Sequence, residues 1–339
     1  MIENDINLLN LIYRDSKKLK KIYRPGPYWM NQTKNSLIEI KKNGLNNFRG
    51  DKNGATHCYG DAAIVDTRSL YNVGLRKILK WIYKDLYPFK NLYNTQVKYT
   101  KNYFNQWMYF FNNYLIHNKR VTELLEKYEI NFETNRGGCL RYFSHNNKNI
   151  SHSYLYLLDT IDRIDKKNPI KSNDTFFEIG GGFGINVHIL VELFDVKKII
   201  YLDIAPNIYV ASQYLKSFYG DKVKCYKNNR DQKIEFSNNN ELEIFCILPN
   251  QIENIVSKVD HFHNAHSFVE MTYDIVENYS KFINKLLKKN KGFISLESYQ
   301  TNNLLQIEKI IGNFNGDVEK TSYLTLDGKT TYDQYTIKL

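Results

Sequence analysis

Downstream of residue 170 the apolar positions alternate between short runs and helical spacing. Phe176, Phe177 and Ile179 form an apolar run that stops at a glycine turn, Gly180 to Gly184. Residues 185–194 space their apolar side chains as a helix does, and Ile199 to Leu202 form a second run ending on Asp203. Strand, turn, helix and strand in that order make one unit of a parallel sheet. A helix follows from about Pro206 to Tyr219, with proline near its start and Gly220 just past its end, the usual asymmetry of helix termini. Further strands are predicted at Val223–Tyr226, Leu242–Leu248, Val259–His263 and Gly292–Glu297, and helices at Phe268–Lys289 and Leu304–Ile311. Two strand-like runs within Ser322–Leu339 flank Asp327-Gly328-Lys329, and Asp-Gly between alternating segments is a strong hairpin signal. The expected fold class is α/β, a doubly wound, mostly parallel sheet.

The first 165 residues follow another pattern. Large apolar and aromatic residues recur at helical spacing over 68–93, 103–128 and 151–164, with short strands expected near Cys58 to Val65. A polar linker over 166–174, containing Pro169, precedes the first sheet strand. Two domains are expected: a mostly helical one over 1–165, for acceptor binding or homodimer formation, and the ligand-binding sheet domain over 170–339.

Composition narrows the setting. A chain of 339 residues that is 42% hydrophobic can bury cores for two domains. Cys58, Cys139, Cys225 and Cys246 stand alone with no C-x-x-C pair, as reduced thiols of a cytoplasmic protein do. The N-terminal stretch opens with acids and reaches its lysines after the apolar segment, the wrong order for a secretory signal. No apolar run approaches the roughly 20 residues of a membrane span. The net charge of +11 is dispersed; its tightest cluster, Lys17, Lys18, Lys20, Lys21 and Arg24, reads as a solvated helix face. The charge therefore does not call for a nucleic-acid partner. It suits attraction of an anionic acceptor such as a nucleotide-linked or phosphorylated sugar. Aromatic residues make up 14% of the chain, more than a core requires, and aromatic faces stack on sugar rings as readily as they fill cores.

The glycine turn carries the chemistry. Glycines permit left-handed backbone and close approach to a ligand, the helix N-terminus that follows offers free N–H donors, and an acid ending the second strand suits a ribose diol. A dinucleotide fingerprint needs G-x-G-x-x-G. Gly180 and Gly182 fit its first pair, but the third position falls on Ile185. What stands is E-x-G-x-G-x-G: Glu178, Gly180, Gly182 and Gly184. This resembles motif I of class I S-adenosylmethionine (SAM)-dependent methyltransferases. The resemblance implies a Rossmann-like sheet of seven strands with SAM as cofactor. It also implies that Glu178 lies near the methionine moiety, Gly180, Gly181 and Gly182 line it, and Asp203 holds the ribose.

A second stretch, VDHFHNAHSFVEM over 259–271, follows a sheet strand at the carboxyl edge where such folds place ligand chemistry. Methylating a hydroxyl gains from a base that takes its proton, and histidine has the pKa for that. His266, past the strand end, is the candidate base. His261 and His263 share one face of the strand, as sheet-buried histidines or, for His263, as an acceptor contact. Asn264 could orient cofactor or acceptor. Ser267 and Glu270 match a capping box, and Glu270 could instead serve catalysis. Asp260, His261 and His263 are close in sequence but match no common metal motif, so no metal is expected.

The strings FFEIGGGFG, YLDIAPNIYVASQYLKSFYG and HNAHSFVEM, together with residues 27–50, resemble a bacterial family of sugar O-methyltransferases. One extra residue separates Asp203 from Pro206 relative to that family's Asp-x-Pro. The resemblance implies methyl transfer to a sugar hydroxyl in surface-polysaccharide or glycoconjugate synthesis. Lys227, Asn228, Asn229 and the turn 248–251 are candidates for the adenine edge, and Arg136, Tyr142 and Ser151 for the acceptor. Other readings stay open: methylation of another small molecule or an RNA ribose, a non-catalytic SAM- or nucleotide-binding protein, or an oxidoreductase.

Overall fold

A computed structural model describes residues 1–50, 108–299 and 307–339. Its N-terminal part contributes helices α1 (Ile6–Ser16), α2 (Pro27–Asn43) and α3 (Lys119–Lys127), with a further helical stretch at 108–116. A small hairpin follows, β1 (Tyr142–His145) and β2 (Lys148–Ser151), leading into α4 (His152–Lys167). Alternation then begins with β3 (Thr175–Ile179), α5 (Ile185–Phe194), β4 (Lys198–Leu202) and α6 (Asn207–Tyr219). It continues through β5 (Val223–Lys224), the short α7 (Tyr226–Asn229), β6 (Glu243–Ile247), β7 (His261–Ala265), α8 (Tyr273–Leu286) and β8 (Phe293–Tyr299). The hairpin strands β9 (Asp317–Leu324) and β10 (Thr331–Lys338) complete it.

The main sheet runs β5-β6-β4-β3-β7-β8-β10-β9, parallel throughout except where β10 pairs with β8 and β9. This is the doubly wound, mostly parallel sheet expected, with eight strands where the resemblance implied seven. Predicted strand 223–226 is short because Tyr226 turns into α7, where its hydroxyl reaches Asp15 of α1 at 3.2 Å. The helix expected at Leu304–Ile311 is replaced, over its described part, by separate 3-10 turns at Ile307–Lys309 and Ile311–Asn313. Expectations for 51–107, including the strands near Cys58 and the helix over 68–93, lie outside the described residues.

Strand composition explains the layering. Helices cover both faces of the central strands, so these read as continuous apolar runs. Successive residues point to opposite faces: Phe176, Ile199, Tyr201 and Ile244 join one buried cluster, and Phe177, Ile200, Leu202 and Phe245 the other. The first cluster also contains Ile12 of α1, Ile40 of α2, Val121 of α3 and Leu155 of α4, so the N-terminal helices share one apolar core with this side of the sheet. Edge strand β9 is mostly exposed and carries Asp317, Glu319 and Lys320, charges that oppose edge-to-edge pairing. Cys139, Cys225 and Cys246 are buried free thiols. Among the described residues no helix is long and apolar enough to cross a membrane.

Within the first cluster lies a buried polar knot. His188 of α5 is fully buried, and its Nδ1 bonds the Tyr154 hydroxyl at 2.5 Å, which in turn meets the Tyr214 hydroxyl at 2.6 Å. Burial, reinforced by the charges of Arg136 and Arg49, depresses its pKa to about 3. The folded state therefore keeps His188 neutral, whereas the unfolded chain protonates it below about 6.5. Stability from this site is complete above that pH and is lost as pH falls toward 3. Relative to His188→Gln, wild-type stability should decline by about 2 kcal/mol between pH 6.5 and 5. Urea midpoints at the two pH values measure this, and a constant difference would show that His188 is charged in the fold.

Candidate functional site

The chain runs outward from β3 to β4, then returns to place β7 on the other side of β3. At such a switch point the turns leaving neighbouring strands diverge and open a crevice. Here those turns are Gly180–Gly184, after β3, and the residues following Ala265. Gly180 has φ +76°, and a Cβ there would lie 2.1 Å from the Ser267 hydroxyl; at Gly181 it would lie 2.4 Å from the Glu178 carboxylate. The turn thus folds down on its own strand and on its neighbour's loop. Asn264, fully buried, fastens the two: its Nδ2 donates to Ile179 O at 2.8 Å and its Oδ1 accepts from Phe268 N at 3.0 Å. Ser267 adds a bond to Ile179 O at 3.2 Å.

Two buried carboxylates flank the turn. Glu178 is 1% exposed; Oε1 accepts from Asn186 Nδ2 at 2.7 Å, while Oε2 has no partner among the described residues. Burial, with the nearby Asp203 charge, pushes its pKa to about 7 against the pull of Asn186. Asp203 is also pushed by burial to about 7, opposed by the groups that bond it. Those are Gly182 N (3.2 Å), Tyr201 OH (3.0 Å), Ile204 N (2.7 Å) and Asn207 Nδ2 (3.4 Å). The Tyr201 hydroxyl has a single proton and also faces Gly182 O at 2.6 Å.

Across the crevice His266 adopts left-handed backbone, φ +68°. Its ring packs against Tyr299 and Tyr332, with centroids at 5.2 and 4.5 Å. Nε2 lies 3.1 Å from Oε2 of Glu297, a residue of β8 that is 1% exposed. Nδ1 is shielded and has no partner among the described residues. The other carboxylate oxygen of Glu297 accepts from Thr160 of α4 at 2.9 Å. Burial pushes the Glu297 carboxyl up, but the neighbouring His266, His263 and Thr160 outweigh that and hold its pKa below the usual range.

Between these walls lies a cavity of about 750 Å³. The glycine turn and Asn186 form one side, His266 and Glu297 another, and Ser153, Tyr156 and Thr160 of α4 a third. The hairpin closes it with Tyr323, Asp327 and Tyr332. Asp327 is held by its own turn, accepting from Thr325 Oγ1 at 2.6 Å and Lys329 N at 2.9 Å.

The sequence-predicted residues fall in several places. Gly180, Gly181, Gly182 and His266 line the cavity, and Glu178, Asp203 and Asn264 lie buried around it. His263 is fully buried in β7, where burial lowers its pKa to about 4, and His261 pairs with Asp174 at 3.0 Å. Glu270 does not line the cavity: it accepts from Trp29 Nε1 (2.7 Å) and Tyr299 OH (2.9 Å), tying α2 to the loop after β7. With Ser267 facing Ile179 O, no capping box forms; Ser267–Glu270 is a 3-10 turn, and α8 begins later, at Tyr273. Arg136 donates to Ser217 O at 2.7 Å and covers Phe218, Tyr142 and Ser151 pair within the small hairpin, and Asn228 is exposed on α7. None of these four lines the cavity. Among the described residues no group of His, Cys, Asp and Glu could hold a metal ion. Sequence reasoning missed Glu297 and Thr160. A signal existed: Glu178, His263, Ser295 and Glu297 are buried polar positions on one face of neighbouring strands.

No family model matches the chain, and no curated protein does. Solved structures with a similar fold include precorrin-8W decarboxylase from Methanobacterium thermoautotrophicum, 14% identical over 53% of this chain and 90% of that one, TM-score 0.36. Precorrin-6y C5,15-methyltransferase from Geobacter metallireducens is 13% identical over 53% and 87%, TM-score 0.37. Magnesium protoporphyrin IX methyltransferase from Synechocystis, solved with bound SAM, is 11% identical over 55% and 79%, TM-score 0.37. Likeness at this level carries no conclusion about cofactor, substrate or reaction.

Gly180→Ala should lower the unfolding free energy by about 1–3 kcal/mol, since it meets both unfavourable backbone and the Ser267 hydroxyl. Denaturant titration measures this; unchanged stability would mean that the turn is not seated on Ser267.

Proposed function

We propose that this chain is a SAM-dependent methyltransferase acting on a hydroxyl group of a sugar. The observation that carries the reading is one cavity walled by the glycine turn on one side and by His266 on the other. The residues fit such a cofactor. Glu178 keeps one buried oxygen without a donor, which suits the ammonium of an amino acid. Asp203 has two weakly committed donors, the shared Tyr201 hydroxyl and the 3.4 Å Asn207 amide, that ribose hydroxyls can replace. Gly180, Gly181 and Gly182 would line the methionine portion. Bound there, SAM supplies an electrophilic methyl group on a sulfonium.

The chain's own residues supply position and a proton acceptor. A sugar hydroxyl has a pKa far above 7, so it becomes a competent nucleophile as its proton passes to a base. His266 lines the cavity and is the group placed to take that proton. Tyr156, Tyr323 and Tyr332 give the cavity aromatic faces suited to a sugar ring. Holding nucleophile and methyl donor in line supplies much of the remaining rate.

His266→Ala should bind SAM within about twofold of wild type by calorimetry yet lose about 10²–10⁴ of the transfer rate. A mass-spectrometric assay over a panel of free and nucleotide-linked sugars reads the rate. Full activity in the variant would remove His266 as the base. Absence of SAM binding to the wild type would remove the reading itself.

A further inference from the structure

The turn Gly180-Gly181-Gly182-Phe183-Gly184 contains a single side chain, that of Phe183. Three of its glycines, Gly180, Gly182 and Gly184, hold left-handed backbone, at φ +76°, +68° and +90°. Glycine loses more conformational freedom on ordering than any other residue. A ligand that needs this turn ordered therefore gains from an anchor already in place. Phe183 is that anchor. It is 2% exposed, and its ring meets Phe48 edge-on at 5.2 Å and Tyr214 at 5.0 Å between centroids. The Arg49 guanidinium lies 4.8 Å from the ring centre. Arg49 is fixed in turn: Nη1 donates to Thr134 O (2.8 Å) and Arg136 O (3.0 Å), and Nη2 to Ser151 Oγ (2.6 Å). Gly137, at φ +90°, makes room for Phe48, since a Cβ there would lie 2.4 Å from the Phe48 ring.

We propose that Phe183 is a positioning residue for the cofactor turn, and that its socket of Phe48 and Arg49 holds Gly182 in register with Asp203. This rests on the glycine turn being the SAM site of the proposed transfer. Gly182, the residue before Phe183, is where the turn meets the ribose acid. Its N donates to Asp203 Oδ2 at 3.2 Å, and its carbonyl accepts from the Tyr201 hydroxyl at 2.6 Å. A loosened turn gives up these contacts first, because Gly180 is tied to the sheet through its bond to Leu202 O at 2.8 Å. Swinging Phe183 out would break two aromatic contacts and a cation–π contact. Arg49 cannot follow the ring without leaving the carbonyls of Thr134 and Arg136. Phe48 and Arg49 are not among the residues that line the cavity, so they act on the cofactor only through Phe183. The N-terminal part thus takes a share in cofactor binding, beyond the acceptor or homodimer role expected from the sequence.

Phe48→Ala is the informative variant, because it removes a wall of the socket and leaves the cavity lining intact. In calorimetry on the full chain, Phe48→Ala and Phe183→Ala should each raise the Kd for SAM about tenfold or more. Leu124→Ala, a loss from the same apolar core on α3, should leave that Kd within about twofold of wild type. The two socket effects should not add: the double variant should bind within about threefold of the weaker-binding single one. Without ligand, amide hydrogen exchange at Gly182 should quicken about tenfold or more in Phe48→Ala, with Gly180 unchanged. If Phe48→Ala does not fold, Phe48→Leu, which keeps apolar bulk and loses the ring edge, takes its place with the same expected direction. SAM binding in the Phe48 variant as tight as in Leu124→Ala, additive effects in the double variant, or unchanged exchange at Gly182 overturns the proposal. The exchange result needs no SAM. It decides this inference even if the wild type binds none, the outcome that would remove the methyltransferase reading.

Discussion

The bonds from Asn264 and Ser267 to the carbonyl of Ile179 hold the site together. They join the last residue of β3 to the end of β7 and the turn that follows it, at the point where the sheet changes winding direction. Without them the two turns lose their side-chain tie to each other, and the glycine turn is left with its hydrogen bonds to the β4 side. With them, Gly180 must remain glycine, Glu178 is sealed under Gly181, and His266 is carried to the opposite rim. A buried side-chain amide whose donor and acceptor are both used is well suited to such a junction, because leaving either unpaired would be costly.

Around this junction the sheet concentrates buried polar groups on one face. Glu178, His263, Ser295 and Glu297 lie on adjacent strands, pointing toward the layer that holds α4 and α5. Burial raises the pKa of Glu178 and Asp203 and lowers that of His263, so neutral forms are favoured wherever no partner compensates. Glu297 is the exception, kept ionised by the groups around it. Ionisable groups pushed in opposite directions around one cavity are a feature expected of a reactive site more than of a packing layer.

Local features of this arrangement were legible in the sequence and long-range ones were not. The unit from Phe176 to Asp203 and the Asp327-Gly328 hairpin could be read because strand period, turn residues and helix period lie side by side. The S-x-x-E pattern at Ser267 misled because tertiary partners outcompeted it: Ile179 O faces the serine, and Trp29 and Tyr299 take the glutamate. Tyr226 left the strand pattern for a contact with α1, 211 positions away. Glu297 and Thr160 belong to the site only because β8 and α4 meet there, which no local pattern announces. The acceptor candidates Arg136, Tyr142 and Ser151 had no local pattern to support them, and they are not among the residues that line the cavity.

The central claim is that one crevice, between the glycine turn and His266, receives both methyl donor and acceptor. A crystal structure of the chain with S-adenosylhomocysteine tests it most directly. The account predicts the amino-acid end beside Glu178 and Gly180–Gly182, the ribose at Asp203, and the sulfur directed toward the side of the cavity that carries His266. Density for the ligand elsewhere, or a site that admits a dinucleotide in its place, would contradict it.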